Sequence, residues 1–132
     1  MKTAELSGAA LDWAVAKCEL LNGADYTLAV DKDIDGALRV NFGGMYPEWC
    51  TDWQEGGAII EREKITIAYG EEENDWFACV GDSRRFEHDT PDGIAKCVGA
   101  TPLVAAMRCY VASKLGDEVQ LPEVVYEQQS DS

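Results

Sequence analysis

The amino-acid sequence predicts a single α+β domain in which an N-terminal and a C-terminal helix pack on one face of an antiparallel β-sheet. Apolar residues recur at helical spacing near both ends of the 132-residue chain and alternate with polar residues between them. Hydrophobic residues make up 46% of the chain, which is enough for a core. We place the domain at residues 1–122 and predict a frayed, acidic tail at 123–132.

The first helix is predicted to begin after Ser7 and to end at Asn22 and Gly23. Its apolar face consists of Leu11, Ala14, Val15, Cys18 and Leu21. Trp13 lies beside this face, and we expect it to pack at the rim of the core.

The middle of the chain changes to the alternating pattern of strands. A pair of antiparallel strands is predicted on either side of the turn from Asp31 to Gly36. The predicted strands lie at 26–30, 38–42, 58–60, 65–69 and 76–80, with short edge strands at 84–88 and 94–98. Several antiparallel strands between two helices are the arrangement of an α+β domain.

The C-terminal helix has sequence signals at both ends. Thr101 can cap its first amides, Pro102 suits the first turn, and Gly116 is placed to end it. The residues that recur at helical spacing between these ends are Leu103, Ala106, Met107, Tyr110, Val111 and Lys114. The pattern predicts a helix docked on the sheet.

The turn DKDIDG resembles the first half of a calcium-binding loop, with Asp31, Asp33 and Asp35 at alternate positions. Phe42 occupies the twelfth position, where such a loop needs a glutamate. Hairpin turn chemistry explains the same residues. We therefore predict no metal site here, with calcium binding as the alternative.

Charge and composition exclude several classes of function. The net charge of −14 argues against binding of DNA or RNA, which requires a basic surface. Nine acids against two bases at 45–75, and five acids without a base at 117–132, indicate either a solubilising surface or a face that docks on a basic protein. No apolar run is long enough to cross a membrane, and the five cysteines are widely spaced, so we expect a cytoplasmic protein with free thiols.

Catalytic patterns are absent from the sequence. It contains no nucleophile elbow, phosphate-binding loop, dinucleotide fingerprint or zinc-protease motif. A pair such as Asp52 and Glu61 arises by chance among 25 acids, and His88 is the one histidine available to activate a cysteine. We predict a protein that is not an enzyme and has no cofactor.

The candidate site is the irregular segment 43–57, GGMYPEWCTDWQEGG, in which Tyr46, Trp49 and Trp53 lie between two glycine pairs. Aromatic faces and backbone amides exposed by glycine suit a planar ligand, whereas inward-facing tryptophans would form a small core. Nearby arginines could grip a phosphate or carboxylate, although surface salt bridges are the alternative. These arginines are Arg62, Arg84 and Arg85.

Three blocks of the sequence carry a family resemblance: MKTAELSGAALDWAVAKCE, TDWQEGGAIIERE and TPLVAAMRCYVASKLGDEVQLPE. Together they resemble the NinX-like family of bacteriophage accessory proteins. In the middle block the matching positions are Asp52, Trp53, Gly56, Gly57, Glu61 and Arg62. The resemblance implies an early phage protein, made in the infected cell, of the kind that often redirects host enzymes or blunts host immunity.

The sequence and the resemblance together suggest two functions. The first is a counter-defence sponge that sequesters a small anionic, nucleotide-derived ligand at Tyr46, Trp49, Asp52, Trp53, Gly56, Gly57, Arg62, Arg84 and Arg85. The alternative is an anionic inhibitor that binds a host defence or nucleic-acid-processing enzyme. Short edge strands and the acidic tail also predict a homo-oligomer.

Overall fold

The computed structural model describes residues 1–80 and 97–130, with side chains up to residue 128, and confirms an α+β fold. A short 3-10 helix at Thr3–Glu5 precedes α1 (Gly8–Leu21), β1 (Leu28–Lys32), β2 (Leu38–Phe42), α2 (Trp53–Glu63), β3 (Ile65–Gly70), β4 (Asp75–Val80), β5 (Cys97–Gly99), α3 (Pro102–Leu115) and α4 (Glu123–Ser130). Within these described residues no helix is long and apolar enough to cross a membrane. The predicted strand at 84–88 and residues 94–96 of the predicted strand at 94–98 lie outside the described residues, whereas residues 97 and 98 of the latter belong to β5.

The described strands form two small antiparallel sheets instead of one. β1 pairs with β2, with Val30 opposite Val40, and this confirms the hairpin predicted from the alternating pattern. β4 lies between β3 and β5 in the second sheet. The turn between β1 and β2 is closed by the backbone of Asp33, whose carbonyl accepts the Gly36 N–H at 2.9 Å.

Helix α3 is the centre of the molecule. It packs against all three strands of the larger sheet and against α1 and α2. Its buried residues lie on several sides of the helix: Leu103, Ala105, Ala106, Met107, Cys109, Tyr110 and Val111. A helix that is apolar on several sides is covered on several sides. Its predicted ends are confirmed, since Thr101 Oγ1 accepts the Val104 N–H at 3.1 Å and Gly116 has a φ of +88°.

The position of α1 also differs from the prediction of two helices on one face of one sheet. Helix α1 packs on α3 and on β2 of the small sheet. Its mostly small buried residues allow this close packing of helix on helix: Ala10, Leu11, Asp12, Ala14, Val15, Ala16 and Cys18. The larger sheet, α3, α1 and the β1–β2 hairpin follow one another across the domain.

The predicted strand at 58–60 is wrong, because these residues belong to α2. Asp52 caps the helix, with its Oδ1 accepting the Gln54 N–H at 2.9 Å. Lys64 ends it in the left-handed conformation, with a φ of 56°. Within the helix Ile59 is buried, so the apolar residues that suggested a strand instead form the inward side of a helix.

The C-terminal end also differs from the prediction of a frayed tail. Residues 123–130 form α4, and the carbonyl of Pro122 accepts the backbone N–H of Val125 at 3.0 Å and of Tyr126 at 2.9 Å. Val125 is 1% exposed and belongs to the core, and α4 packs against α1. One well-placed apolar side chain therefore docks this segment despite its acids.

Candidate functional site

A groove of about 500 Å³ opens between the β1–β2 hairpin and the beginning of α2. We call it the aromatic groove, and its lining residues are Tyr26, Phe42, Met45, Tyr46, Pro47, Trp49, Asp52, Gln54 and Glu55. Three of the predicted site residues, Tyr46, Trp49 and Asp52, meet here. The predicted segment thus contributes to a concave surface of the kind that binds ligands.

Aromatic rings form the floor and one wall of the aromatic groove. Phe42 is 5% exposed and Trp49 is 7% exposed, and their rings meet edge to face with centroids 5.7 Å apart. Tyr26 is half-exposed and stacks at a tilt on Phe42 with centroids 5.1 Å apart. Of the aromatic residues of the segment 43–57 that line the groove, Trp49 thus turns into the core, whereas Tyr46 remains accessible.

A glycine makes the approach of Tyr26 possible. Gly43 has a φ of +65°, and a Cβ atom there would collide with the Tyr26 ring. The backbone N–H of Gly43 also donates to the carbonyl of Thr27 at 2.9 Å, so the end of β2 is held against the start of β1. Gly43, from the first glycine pair of the segment, thus allows the Tyr26 side chain to pack at the groove.

The second wall of the aromatic groove is acidic. Asp52 caps α2 and Glu55 lies on its first turn, and no residue that lines the groove in the described structure is basic. Burial raises the pKa of Glu55, and the neighbouring carboxylates of Asp52 and Glu48 raise it further. A cation in the groove would relieve this repulsion, whereas an anion would increase it.

Tyr46 is held in place by the turn that resembles a calcium loop. Its hydroxyl donates to Asp31 Oδ2 at 2.7 Å, and Asn41 Nδ2 donates to the same oxygen at 2.8 Å. These bonds, that of Tyr46 first, hold the pKa of Asp31 below its usual range. Asp33 accepts the Ile34 N–H at 2.8 Å and pairs with Arg39 at 3.1 Å, so both carboxylates have protein partners. The described residues contain no cluster of metal-ligating side chains.

Arg62 does not face the groove, although the sequence predicted it as a ligand contact. Its Nη1 and Nη2 donate to the carboxylate of Glu19 at 3.2 and 2.6 Å, and its Nε donates to Glu63 at 2.9 Å. Its Nη2 also donates to the hydroxyl of buried Tyr110 at 3.0 Å, and this hydroxyl donates to Glu19 at 2.7 Å. Arg62 therefore ties α2 to α1 and α3.

The remaining predicted residues have other positions. Trp53 is 55% exposed and lines a separate cleft of about 240 Å³ with Thr101 and Pro102 at the start of α3. Gly56 lies where a Cβ would overlap the Trp49 carbonyl oxygen and approach Leu103 Cδ2 to 2.6 Å, so its role is close packing. Gly57 lies beside the Trp53 ring. Arg84 and Arg85, like His88, are outside the described residues.

Sequence reasoning missed a buried acid next to the groove. Asp12 of α1 is 8% exposed and lines a smaller groove of about 180 Å³ on the other side of Tyr46 and Pro47. Its Oδ1 accepts the Cys50 N–H at 3.1 Å, and burial raises its pKa to about 6 against the opposing effect of this bond. Burial also raises the pKa of the Cys50 thiol far above its usual range, which makes it a poor nucleophile.

Tyr26, Phe42 and Glu55 were also missed as site residues. The tyrosine and phenylalanine appeared only as strand residues, because the hairpin that places them by the loop is a tertiary feature. The position of Glu55, in contrast, is indicated by a local sequence pattern. Asp52 followed three residues later by Glu55 is the spacing of a helix-capping box, which marks the beginning of α2 and both acids of the groove.

Comparison with known families identifies a match over most of the chain. The sequence model of the family described as Bacteriophage P22, NinX, matches residues 2–114. No curated protein matches the chain. The matched residues include every residue that lines the aromatic groove, so the groove lies within the part of the chain that defines the family.

Proposed function

This chain belongs to the NinX family of bacteriophage P22, and from this premise we propose a function for it. It is a phage accessory protein that acts without catalysis, by binding the basic surface of a host enzyme. The enzyme is one that processes nucleic acid or defends the cell, and binding inhibits it. The chain in effect competes with nucleic acid for this basic surface.

The observation that supports this proposal is the acidic wall of the aromatic groove. In the described part of the chain, neither Asp52 nor Glu55 forms an ion pair. Asp33, Glu19 and Glu63, which do form ion pairs within the described part of the chain, all lie outside the groove. The net charge of −14 adds a long-range attraction to basic proteins, and this attraction increases the rate of encounter.

Sequestration of a small anionic, nucleotide-derived ligand stays a prediction with less support. The groove that contains Tyr46 and Trp49 has acids where this ligand needs bases, and Arg62 is engaged by Glu19. A thermal-shift panel of nucleotides and cyclic nucleotides tests it directly. A ligand at about 100 times its Kd should stabilise the protein by about 2.7 kcal/mol. A panel that leaves the melting temperature unchanged would contradict it.

Binding to host proteins tests the main proposal. The full chain, immobilised, should recover a stoichiometric basic protein from host lysate at low salt and release it at high salt. The recovered protein is then purified, and its affinity is measured at about 50 and about 200 mM salt, where we expect a loss of about tenfold or more.

A functional assay completes this test. Addition of the chain should displace nucleic acid from the purified partner, or inhibit its reaction, at the same concentrations at which it binds. Recovery of no stoichiometric partner, or binding that does not depend on salt, would refute the proposal.

A further inference from the structure

We propose that the aromatic groove receives an arginine side chain from an exposed basic segment of the partner. This inference rests on the proposed function, because it specifies how a basic partner is recognised. The groove combines accessible aromatic rings with carboxylates that have no cation partner among the described residues. A guanidinium group is complementary to both features.

The rings provide the first half of this recognition. Tyr26 and Tyr46 are both half-exposed and line the groove above the buried rings of Phe42 and Trp49. The hydrogen bond from Tyr46 to Asp31 and the seat of Tyr26 over Gly43 fix these rings before binding. A cation over such a ring is attracted to its face, and the flat guanidinium also stacks on it.

The carboxylates provide the second half. One oxygen of Asp52 is occupied by the Gln54 N–H, which fixes the side chain at the beginning of α2. Glu55 is half-buried beside it, and the repulsion between the two acids contributes to the raised pKa of Glu55. A guanidinium that donates to either carboxylate converts this repulsion into attraction.

The groove favours arginine over lysine. Its floor of Phe42, Pro47 and Trp49 is apolar, so an entering cation loses hydration. A guanidinium is more weakly hydrated than an ammonium and directs several N–H donors towards a carboxylate at once. The long aliphatic stem of arginine can lie along the apolar floor.

Titration of the full chain with short peptides, followed by NMR, tests the inference. The three peptides carry arginine, lysine or citrulline at one central position and are otherwise identical. Citrulline keeps the planar shape of arginine without the charge. We expect the arginine peptide to shift the Trp49 indole signal and to bind about tenfold more tightly than the citrulline peptide and about threefold more tightly than the lysine peptide.

Two variants and one control locate the binding. Glu55→Gln should weaken the arginine peptide about fivefold by removing charge, and Tyr26→Leu should do the same by removing a ring. Glu61→Gln, on the exposed side of α2 and outside the groove, removes the same charge and should change the affinity less than twofold. NMR spectra of the variants establish that each one is folded.

The outcomes separate this inference from the proposed function. Equal affinity for arginine and citrulline, or equal effects of Glu55→Gln and Glu61→Gln, would overturn the arginine site. If salt-sensitive binding of a basic host protein persists in that case, the proposed function stands without it. If no basic protein binds the unaltered chain, both fail.

Discussion

At the scale of single residues, two tryptophans that are four positions apart have opposite roles. Trp49 is 7% exposed and contacts Phe42, whereas Trp53 is 55% exposed at a separate cleft. We expect Trp49→Ala to lower the free energy of unfolding by about 3–5 kcal/mol, through lost burial and a cavity. Trp53→Ala should cost less than about 1 kcal/mol, because most of its ring is already in water. Urea denaturation of both variants measures this, and similar losses would contradict the assignment.

The contribution of Asp12 to the stability of the protein depends on pH. Its pKa of about 6 in the folded protein lies above the ordinary value of 3.8, so the folded state binds this proton more tightly than the unfolded state does. The contribution of Asp12 to stability is therefore full below 3.8, falls as the pH rises to about 6, and stays low above it. Replacing the Asp12 carboxyl with an uncharged group should therefore stabilise the protein only at pH values at which the carboxyl would otherwise be ionised.

We expect Asp12→Asn to gain stability relative to the unaltered chain across this pH range, by up to about 3 kcal/mol at pH 7. Urea denaturation between pH 3.5 and pH 7 measures the difference. Asp25→Asn, which removes a carboxyl group at an exposed position, is the matched control. A pH-independent difference for Asp12→Asn would show that the carboxyl is not buried as the structure has it.

The site could be predicted from the sequence only where one local segment carries it. Tyr46, Trp49 and Asp52 lie within seven residues of one another, and their aromatic and acidic character was visible there. The position of Arg62 outside the groove could not be predicted, because its partners Glu19 and Tyr110 are 43 and 48 residues away. No local pattern indicates that a base near a loop is already engaged by a distant acid.

At the scale of elements, the second glycine pair explains both the form of α2 and the failure to predict it. Gly56 and Gly57 are expected to weaken a helix, and Ala58–Ile60 alone suggest a strand. The helix forms because its Asp52 cap satisfies a first-turn amide and because Gly56 lets α2 approach the Trp49 carbonyl and Leu103. This close approach is a tertiary contact, and propensity cannot reveal it. The other predicted helices and the hairpin needed no such contact and were found by their periodicity.

The two glycines should respond oppositely to alanine. A methyl group at Gly56 would overlap the Trp49 backbone, so Gly56→Ala should destabilise the protein by about 2 kcal/mol or more. At Gly57 the nearest atom would be Trp53 Cε3 at an ordinary 3.8 Å, so Gly57→Ala should stabilise it by about 0.5–1 kcal/mol through helix propensity. Thermal unfolding followed by circular dichroism compares them. Loss of stability in both variants would mean that the packing around α2 differs from that described.

At the scale of the whole molecule, we propose that the chain self-associates. In the described residues β1 and β3 each pair on one side only, and Ile34 is fully exposed at the tip of the hairpin. Pairing of equivalent edges would generate a symmetric dimer. Repulsion between acidic copies opposes this, so association should strengthen with salt.

Light scattering at tens of micromolar protein, at low and high salt, measures the mass in solution. We expect a dimer or larger species at high salt, and a strict monomer under both conditions would refute self-association. Lys32→Pro, which removes one backbone donor from β1, should weaken an assembly that uses this edge. An unchanged mass for this variant would place the interface elsewhere.

The central position of α3 has a consequence for how the chain folds as it is made. Residues 102–115 leave the ribosome after α1, α2 and the larger sheet, yet they cover the apolar sides of all three. Until these residues emerge, the apolar sides of the earlier elements have no helix to pack against. The core can therefore close only after α3 has emerged, and the nascent chain exposes its apolar surfaces to the chaperones of the cell until then.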